Sequence, residues 1–247
     1  MSKVQSVQRA FALLQQLASE EMGVTELSDA SDLPKSTVAR LLKTLEYEEA
    51  VELVDETGRY RIGPSITSLA GSTDQSPDLI SRARPHLVVL AQATGEDAGL
   101  SIPDGHKTHY VAQTESDNPV QVRDWTGEQL PMHSVASGLV MLAFSSPLSQ
   151  ERYLSGSLTS FTQNTMTDRD DLRRRFADIS RVGYVWCDAE YVEGLKAVAA
   201  PILNARGIPI AAIHIHGPSY RFPQVGQDDE IAAMVVDKAR LITDQIR

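Results

Sequence analysis

Apolar residues recur at helical spacing from the start of the chain. Val7, Ala10, Phe11, Leu14 and Leu17 fall on one stripe and predict an amphipathic helix over about residues 5–19, which Gly23 ends. Thr25 is placed to cap a short second helix carrying Leu27 and Ala30. Leu33-Pro34 then turns the chain, because the residue before proline avoids helical geometry and proline suits a first turn. A third helix follows from about Lys35 to Glu49, with Val38, Leu41, Leu42 and Leu45 inward. The period then drops to two. Val51-Glu52-Leu53-Val54 and Arg59-Tyr60-Arg61-Ile62 flank Asp55-Glu56-Thr57-Gly58, predicting a β-hairpin with Gly58 in the turn. Helix, short helix, tight turn, helix and hairpin together make a winged helix-turn-helix over residues 1–70.

The polar, turn-rich stretch Gly71–Pro77 reads as a linker. A helix carrying Leu79, Ile80, Leu87, Leu90 and Ala91 follows, with Pro85 set to kink or restart it, so residues 71–93 form a linker and linker helix. Residues 94–247 alternate strand and helix signals. Strands are predicted at Ala98–Ile102, His109–Ala112, Val120–Val122, Val185-Trp186, Val198–Leu203 and Ile208–His216, with Asp104-Gly105 as a hairpin turn. Helices are predicted from Ser134 to Phe144, from a Thr167/Asp170 capping box to Gly183, and over the last twenty residues. This is an α+β architecture in two domains.

A major groove admits one helix, whose N-terminal residues meet bases and phosphates. Lys35, Ser36, Thr37, Arg40 and Lys43 lie on or near the side of the third helix away from its leucines. Arg59 and Arg61, two apart on a strand, point the same way and are placed to grip backbone or minor groove. The plainer alternative is a three-helix unit with solvated charges. Net charge complicates a nucleic-acid reading. It is −10 overall, and residues 1–72 hold seven bases against eleven acids. Five of those bases fall in Lys35–Lys43 and Arg59–Arg61, so local field must do the steering. The single cysteine, Cys187, excludes an intrachain disulfide framework and suits a reducing compartment. Apolar runs are short, and Met1–Gln5 leads into the first helix without a signal-like stretch, so a cytoplasmic protein without membrane contact is expected.

Leu33-Pro34-Lys35-Ser36-Thr37-Val38-Ala39-Arg40-Leu41-Leu42 resembles the recognition-helix region of IclR-type transcription regulators, the isocitrate lyase regulator family. Leu130–Gly138 resembles the family's effector-domain signature, as do Gly183-Tyr184, Glu190, Gly194-Leu195, Ala199–Ile202 and Ala211–Pro218. One departure is Leu139, where the family commonly has lysine. The resemblance implies a GAF-like effector-binding domain with a mixed sheet flanked by helices. It also implies a homodimer or dimer of dimers on palindromic double-stranded DNA, no cofactor, and a small carboxylate effector, aromatic acids included. Carried over by position, it assigns effector contact to Ala136, Ser137, Cys187, Ala197, His214 and His216, with Val122 and Leu130 as an apolar wall.

The residues themselves leave other readings open. Ile213 and Ile215 share one strand face and His214 and His216 the other, and an alternating strand commonly turns its polar face to water. His-x-His with Cys187 would suit zinc, giving a metal-responsive regulator of the same fold. A Cys187–histidine catalytic pair is a remote third option, since no nucleophile motif or oxyanion device surrounds Cys187 and no enzyme is expected.

Overall fold

The computed structural model describes residues 4–54, 57–66, 69, 76–116, 118 and 122–246. The chain forms two compact units, residues 1–73 and 74–247. In the first, α1 (Gln5–Leu17), α2 (Val24–Ser31) and α3 (Lys35–Tyr47) precede the antiparallel pair β1 (Val51–Val54) and β2 (Arg59–Ile62). Leu13, Leu17, Leu27, Val38, Leu42 and Val51 form its core, with Leu14, Leu41, Leu45, Tyr60 and Ile62 packed around them. Met22 exchanges backbone hydrogen bonds with Tyr60 at 3.0 and 2.8 Å, which adds a third, one-residue strand to the wing.

The first two helices differ locally from the sequence pattern. The stripe on α1 is not all core: Val7 and Phe11 are 54% and 62% exposed in this unit, and Leu13 takes the buried place instead. The cap of α2 is Gly23 rather than Thr25. Its N–H donates to Glu26 Oε2 at 2.7 Å, satisfying a helix-start donor from the side chain three residues on.

The second unit begins with α4 (Ser76–Thr94), which runs through Pro85 as one helix. Then come β3 (Asp97–Asp104), β4 (Lys107–Thr114), β5 (Gln129–Pro131), a 3-10 turn (Met132–Ser134), α5 (Ala136–Ala143) and α6 (Pro147–Ser155). α7 (Arg169–Val182), β6 (Val185–Asp188), β7 (Leu195–Leu203), β8 (Pro209–Pro218) and α8 (Asp228–Ile246) complete it. The six strands form one sheet in the order β5-β4-β3-β8-β7-β6.

The sheet is flanked by helices, but it is not mixed. All five pairings are antiparallel. A parallel neighbour requires a crossover between adjacent strands. Here the long helical connection from β5 to β6 joins the two edges of the sheet, and β3–β4 and β7–β8 are hairpins. Other boundaries shift for local reasons. Asp168, not Thr167, caps α7, accepting from the N–H groups of Asp170 and Asp171 at 2.9 Å. α5 starts at Ala136 because Met132–Ser134 is a tighter turn. β5 and α6 are elements beyond those predicted, although Ser146-Pro147 is a legible helix start. The predicted turn at Asp55-Glu56, most of the Gly71–Pro77 linker, and Val120-Gln121 of the predicted strand lie outside the described residues.

Alternation along the central strands sorts the layers. Val198, Ala200, Ile202, Ile213 and Ile215 face α4 and α8, meeting Leu87, Leu90, Ile231, Val235 and Ile242. Val185, Cys187, Ala199 and Ala212 face α5 and α7, meeting Leu139, Leu172 and Phe176. Leu139, the departure from the family pattern, is fully buried in that second layer. Among the described residues no helix is long and apolar enough to cross a membrane.

Candidate functional site

On α3 the helical period sets Val38 and Leu42 inside and leaves Lys35, Ser36, Ala39, Arg40, Lys43 and Thr44 exposed, with Thr37 half-buried. None of the ion pairs among the described residues engages Lys35, Arg40 or Lys43. The wing arginines differ. Arg59 donates to Glu21 O at 2.9 Å and pairs with Glu26 at 2.8 Å, while Arg61 pairs with Glu52 and, at 3.7 Å, with Glu21. Both lie at the surface, but each would have to exchange a carboxylate for a phosphate to meet DNA.

The second unit holds a cavity under the α5 side of the sheet. It is lined by Tyr110, Trp125, Leu130, Ser134–Ser137, Cys187, Tyr191, Leu195, Ala197, His214 and His216. The alternation of β8 that buries Ile213 and Ile215 against α4 and α8 turns both histidines into this cavity wall. They are 3% exposed, so they do not face water. Of the eight residues assigned to effector contact by resemblance, seven line the cavity. Val122 instead packs against the cluster of Tyr110, Trp125, Leu130 and Val135. The aromatic walls Tyr110, Trp125 and Tyr191 were not foreseen. Trp125 and Tyr191 sit in connecting segments, where no periodicity marks which way a side chain turns.

The rings are closely set. Trp125 lies 6.3 Å from Tyr110 and 6.0 Å from Tyr191, and Arg123 covers Trp125 at 4.1 Å. Tyr110 meets the His214 ring edge-on at 5.0 Å, and His214 stacks on His216 at 5.6 Å. Gly99 is required here: a Cβ on it would overlap the Nε2–Cε1 edge of His214. The other side of that ring faces Ser101, with Nδ1 3.4 Å from its Oγ. Neither His214 Nε2 nor His216 Nε2 has a hydrogen-bond partner among the described residues. Empty space amounts to about 450 Å³ with the mouth included, but a water-sized sphere can centre over only about 40 Å³. That is room for a few waters, so a ring-sized occupant must push the aromatic walls apart.

The start of α5, Ala136 and Ser137, borders this space. Val135 at the N-cap makes no side-chain cap bond, so the first-turn donors of Ala136, Ser137 and Gly138 are not satisfied from there. His133 holds the turn before it. Its Nε2 donates to Thr159 O at 3.0 Å, which leaves Nδ1 to accept from Tyr153 Oη at 2.8 Å, and burial lowers its pKa. Gly138 is the second required glycine, since a Cβ would overlap the Met132 backbone.

Among the described residues the lining carries no permanent charge. Burial pushes His214 well below the ordinary imidazole range, with His216 adding to it, and pushes His216 down to about 4 against the pull of Asp97 and Asp124. Burial likewise raises the Tyr110 phenol and the Cys187 thiol. Arg175 reaches Cys187 Sγ at 3.7 Å, yet its guanidinium is taken by both oxygens of Glu190 at 2.7 Å. Cys187 therefore stays a thiol, unlike a catalytic or metal-bound sulfur. Among the described residues no three of His, Cys, Asp or Glu converge to hold a metal ion, so Cys187, His214 and His216 share a wall without forming a zinc ligand set.

The family profile for the IclR helix-turn-helix domain matches residues 6–55, and that for the bacterial transcriptional regulator IclR C-terminal region matches 72–244. The HTH-type transcriptional regulator Rv1719 of Mycobacterium tuberculosis is 31% identical over 235 residues, covering 94% of this chain and 89% of its own. The acetate operon repressor of Salmonella typhimurium is 30% identical, covering 98% and 89%. These relatives are transcription regulators, not enzymes. The crystal structure of an IclR-type regulator from Alicyclobacillus acidocaldarius superposes with a TM-score of 0.65 at 25% identity over the whole of both chains. An IclR homolog from Microbacterium hydrocarbonoxydans, complexed with 4-hydroxybenzoate, shares the fold at TM-score 0.63 and 24% identity, covering 98% and 99%.

Proposed function

The chain belongs to the IclR family of bacterial transcription regulators, and from that premise we propose that it is a ligand-responsive regulator whose cavity takes a small carboxylate, aromatic acids included. The carrying observation is the cavity itself: buried, aromatic-walled, without permanent charge, and bounded by the uncapped start of α5. A carboxylate needs donors, and a helix start supplies N–H groups and a favourable dipole. Ser137 Oγ and the imidazoles add more, while Tyr110, Trp125, Tyr191 and Leu130 suit the flat apolar part of the molecule. Val122 is proposed to back this wall. The protein of like fold that holds 4-hydroxybenzoate agrees with this class of ligand.

In the same reading Lys35, Ser36, Thr37, Arg40 and Lys43 enter the major groove, and Arg59 and Arg61 follow the backbone. Residues 1–70 read DNA, 71–93 link, and 94–247 sense. The exposed apolar stripe Val4, Val7 and Phe11 on α1 supports self-association, and a two-fold dimer on a palindrome follows, with half-sites about 34–36 Å apart. Relatives named as repressors make repression the expected sign.

The test has two arms. Selection from random-sequence DNA is expected to return a palindrome, and benzoate, 4-hydroxybenzoate or hexanoate is expected to raise the melting temperature and to change the affinity for that palindrome. His214→Ala is expected to weaken acid binding roughly ten- to hundredfold, the worth of a hydrogen bond to a charged group, while leaving ligand-free DNA affinity unchanged. Recovery of no DNA sequence, or binding of none of the acids, overturns the reading.

A further inference from the structure

Among the described residues the cavity has no lysine or arginine in its lining, although it is proposed to receive an anion. Burying a carboxylate without a counter-charge is costly, and a helix start offsets only part of that cost. Resting on the reading above, we propose that the cavity takes its ligand as a monoanion together with one proton, and that His216 accepts the proton.

The two histidines are not equivalent. His214 lies flat on the sheet, with its Nε2 edge against Gly99, Nδ1 beside Ser101 and the Tyr110 ring across it. No carboxylate acts on it. His216 stands directly across the strand pair from Asp97, which is 2% exposed. Asp97 accepts the Ser116 N–H through Oδ1 at 2.7 Å, and its Oδ2 has no partner among the described residues. Asp124 is the second carboxylate acting on His216, and it is itself kept ionised by the Thr126 N–H at 2.8 Å. An imidazolium on His216 would thus be favoured by Asp97 across the strand pair, by Asp124, and by a third carboxylate brought by the ligand.

The other surrounding elements offer no rival. β4 contributes Tyr110, a phenol held protonated. β6 contributes Cys187, a thiol held protonated, backed by the mutually neutralising Arg175 and Glu190. The following loop adds Tyr191, β7 presents Ala197 opposite His216, and α5 has no titratable residue. Without ligand, burial wins and His216 is neutral near pH 7. An anion in contact raises its pKa, so binding draws a proton from solution at any pH between the free and bound values. Affinity is then greatest at low pH, falls as pH rises from the free-state value to the bound-state value, and is constant above it.

Calorimetry of benzoate with the full chain, run at about pH 6 in buffers of different ionisation enthalpy, measures that proton directly. Close to one proton taken up per benzoate is expected, none with the neutral isostere benzamide, and affinity should drop up to tenfold per pH unit between the free and bound pKa values and level off above the latter. His216→Gln is expected to abolish uptake. His214→Gln should weaken binding yet keep it, and Asp97→Asn should reduce it. Imidazole ¹⁵N shifts of the wild-type protein, recorded with and without benzoate, report the same protonation if a variant fails to fold. Benzoate binding without proton uptake overturns the proposal and leaves the carboxylate reading standing. Uptake that persists in His216→Gln places the proton elsewhere and also overturns it. If benzoate, 4-hydroxybenzoate and hexanoate all fail to bind, both readings fall together.

Discussion

The two units carry their polar chemistry in opposite settings. On α3 the cations stand exposed on one face of a helix, without an ion pair among the described residues, while Val38 and Leu42 enter the core from the other. In the second unit polar groups from β4, α5, β6 and β8 are folded into one buried wall, and burial has stripped them of charge. The difference teaches where electrostatics is worth most. Exposed charge acts at long range and is screened by salt, whereas a charge or orphaned polar group in the wall is felt at full strength. The wing lies between these extremes, with its arginines exposed but occupied by acids.

The sharpest way to break the contrast is through ion pairs. Arg175–Glu190 has side chains 16% and 7% exposed, and Glu190 would be left buried and alone in Arg175→Ala. A loss of about 3–5 kcal/mol is expected in chemical denaturation of the second unit, with much less for Arg175→Met combined with Glu190→Leu, which removes both charges. A loss below about 1 kcal/mol in Arg175→Ala would place this pair with the surface ones and erase the distinction.

The next effect is one of pH. His216 has a folded pKa of about 4, below its ordinary value of 6.5, and His214 and His133 shift the same way. A depressed folded pKa means that the unfolded chain binds protons the native protein refuses. The stability is therefore present above about pH 6.5 and lost as pH falls toward 4. His216 alone is worth roughly 3 kcal/mol over that window. Denaturation midpoints of the ligand-free chain should fall accordingly, and His214→Gln with His216→Gln should flatten the slope. An unchanged slope in that double variant would mean the histidines are not buried as neutral rings.

These expectations also mark what the sequence could say. The third helix was legible because its leucines recur at one period and its cations at the complementary positions. The histidines were half legible: alternation paired them on a face, but only the layer packed over that face decides between water and wall. α5 and α7 supply that layer, and no strand pattern announces it. Trp125 and Tyr191 were illegible because loop side chains obey no period, and Arg175–Glu190 because its partners belong to a helix and a loop. Val7 and Phe11 fit the helical stripe, yet a stripe can serve a core or a second copy equally well.

On the exposed side, Arg40→Ala tests the helix face. A base contact would cost about 1–3 kcal/mol in operator affinity and relax specificity at one position, while a phosphate contact would weaken all sequences alike and lower the salt slope by about one. Ligand affinity should not move. Unchanged DNA affinity for both Arg40→Ala and Lys35→Ala would remove α3 from the groove.

The smallest effect should come from the wing, where the sign is unusual. Glu26 holds Arg59, and both are about two-fifths exposed, so the pair itself contributes little, about 0.2–1 kcal/mol at most. Glu26→Gln should therefore cost almost nothing in stability, although its Oε2 also takes the Gly23 N–H, a role the glutamine oxygen can keep. On DNA the substitution removes a negative charge from beside the phosphates and frees a guanidinium that otherwise has to exchange partners. Affinity should rise, for operator and random DNA alike, because a phosphate contact carries no sequence information. The gain should be greatest near 50 mM salt and fade by about 0.3 M, as the screening length falls well below 10 Å. Arg59→Ala should do the opposite and lower the salt slope. If Glu26→Gln leaves DNA affinity unchanged at low salt while Arg40→Ala weakens it, the wing stands clear of the duplex and Arg59 serves only to tie β2 to α2.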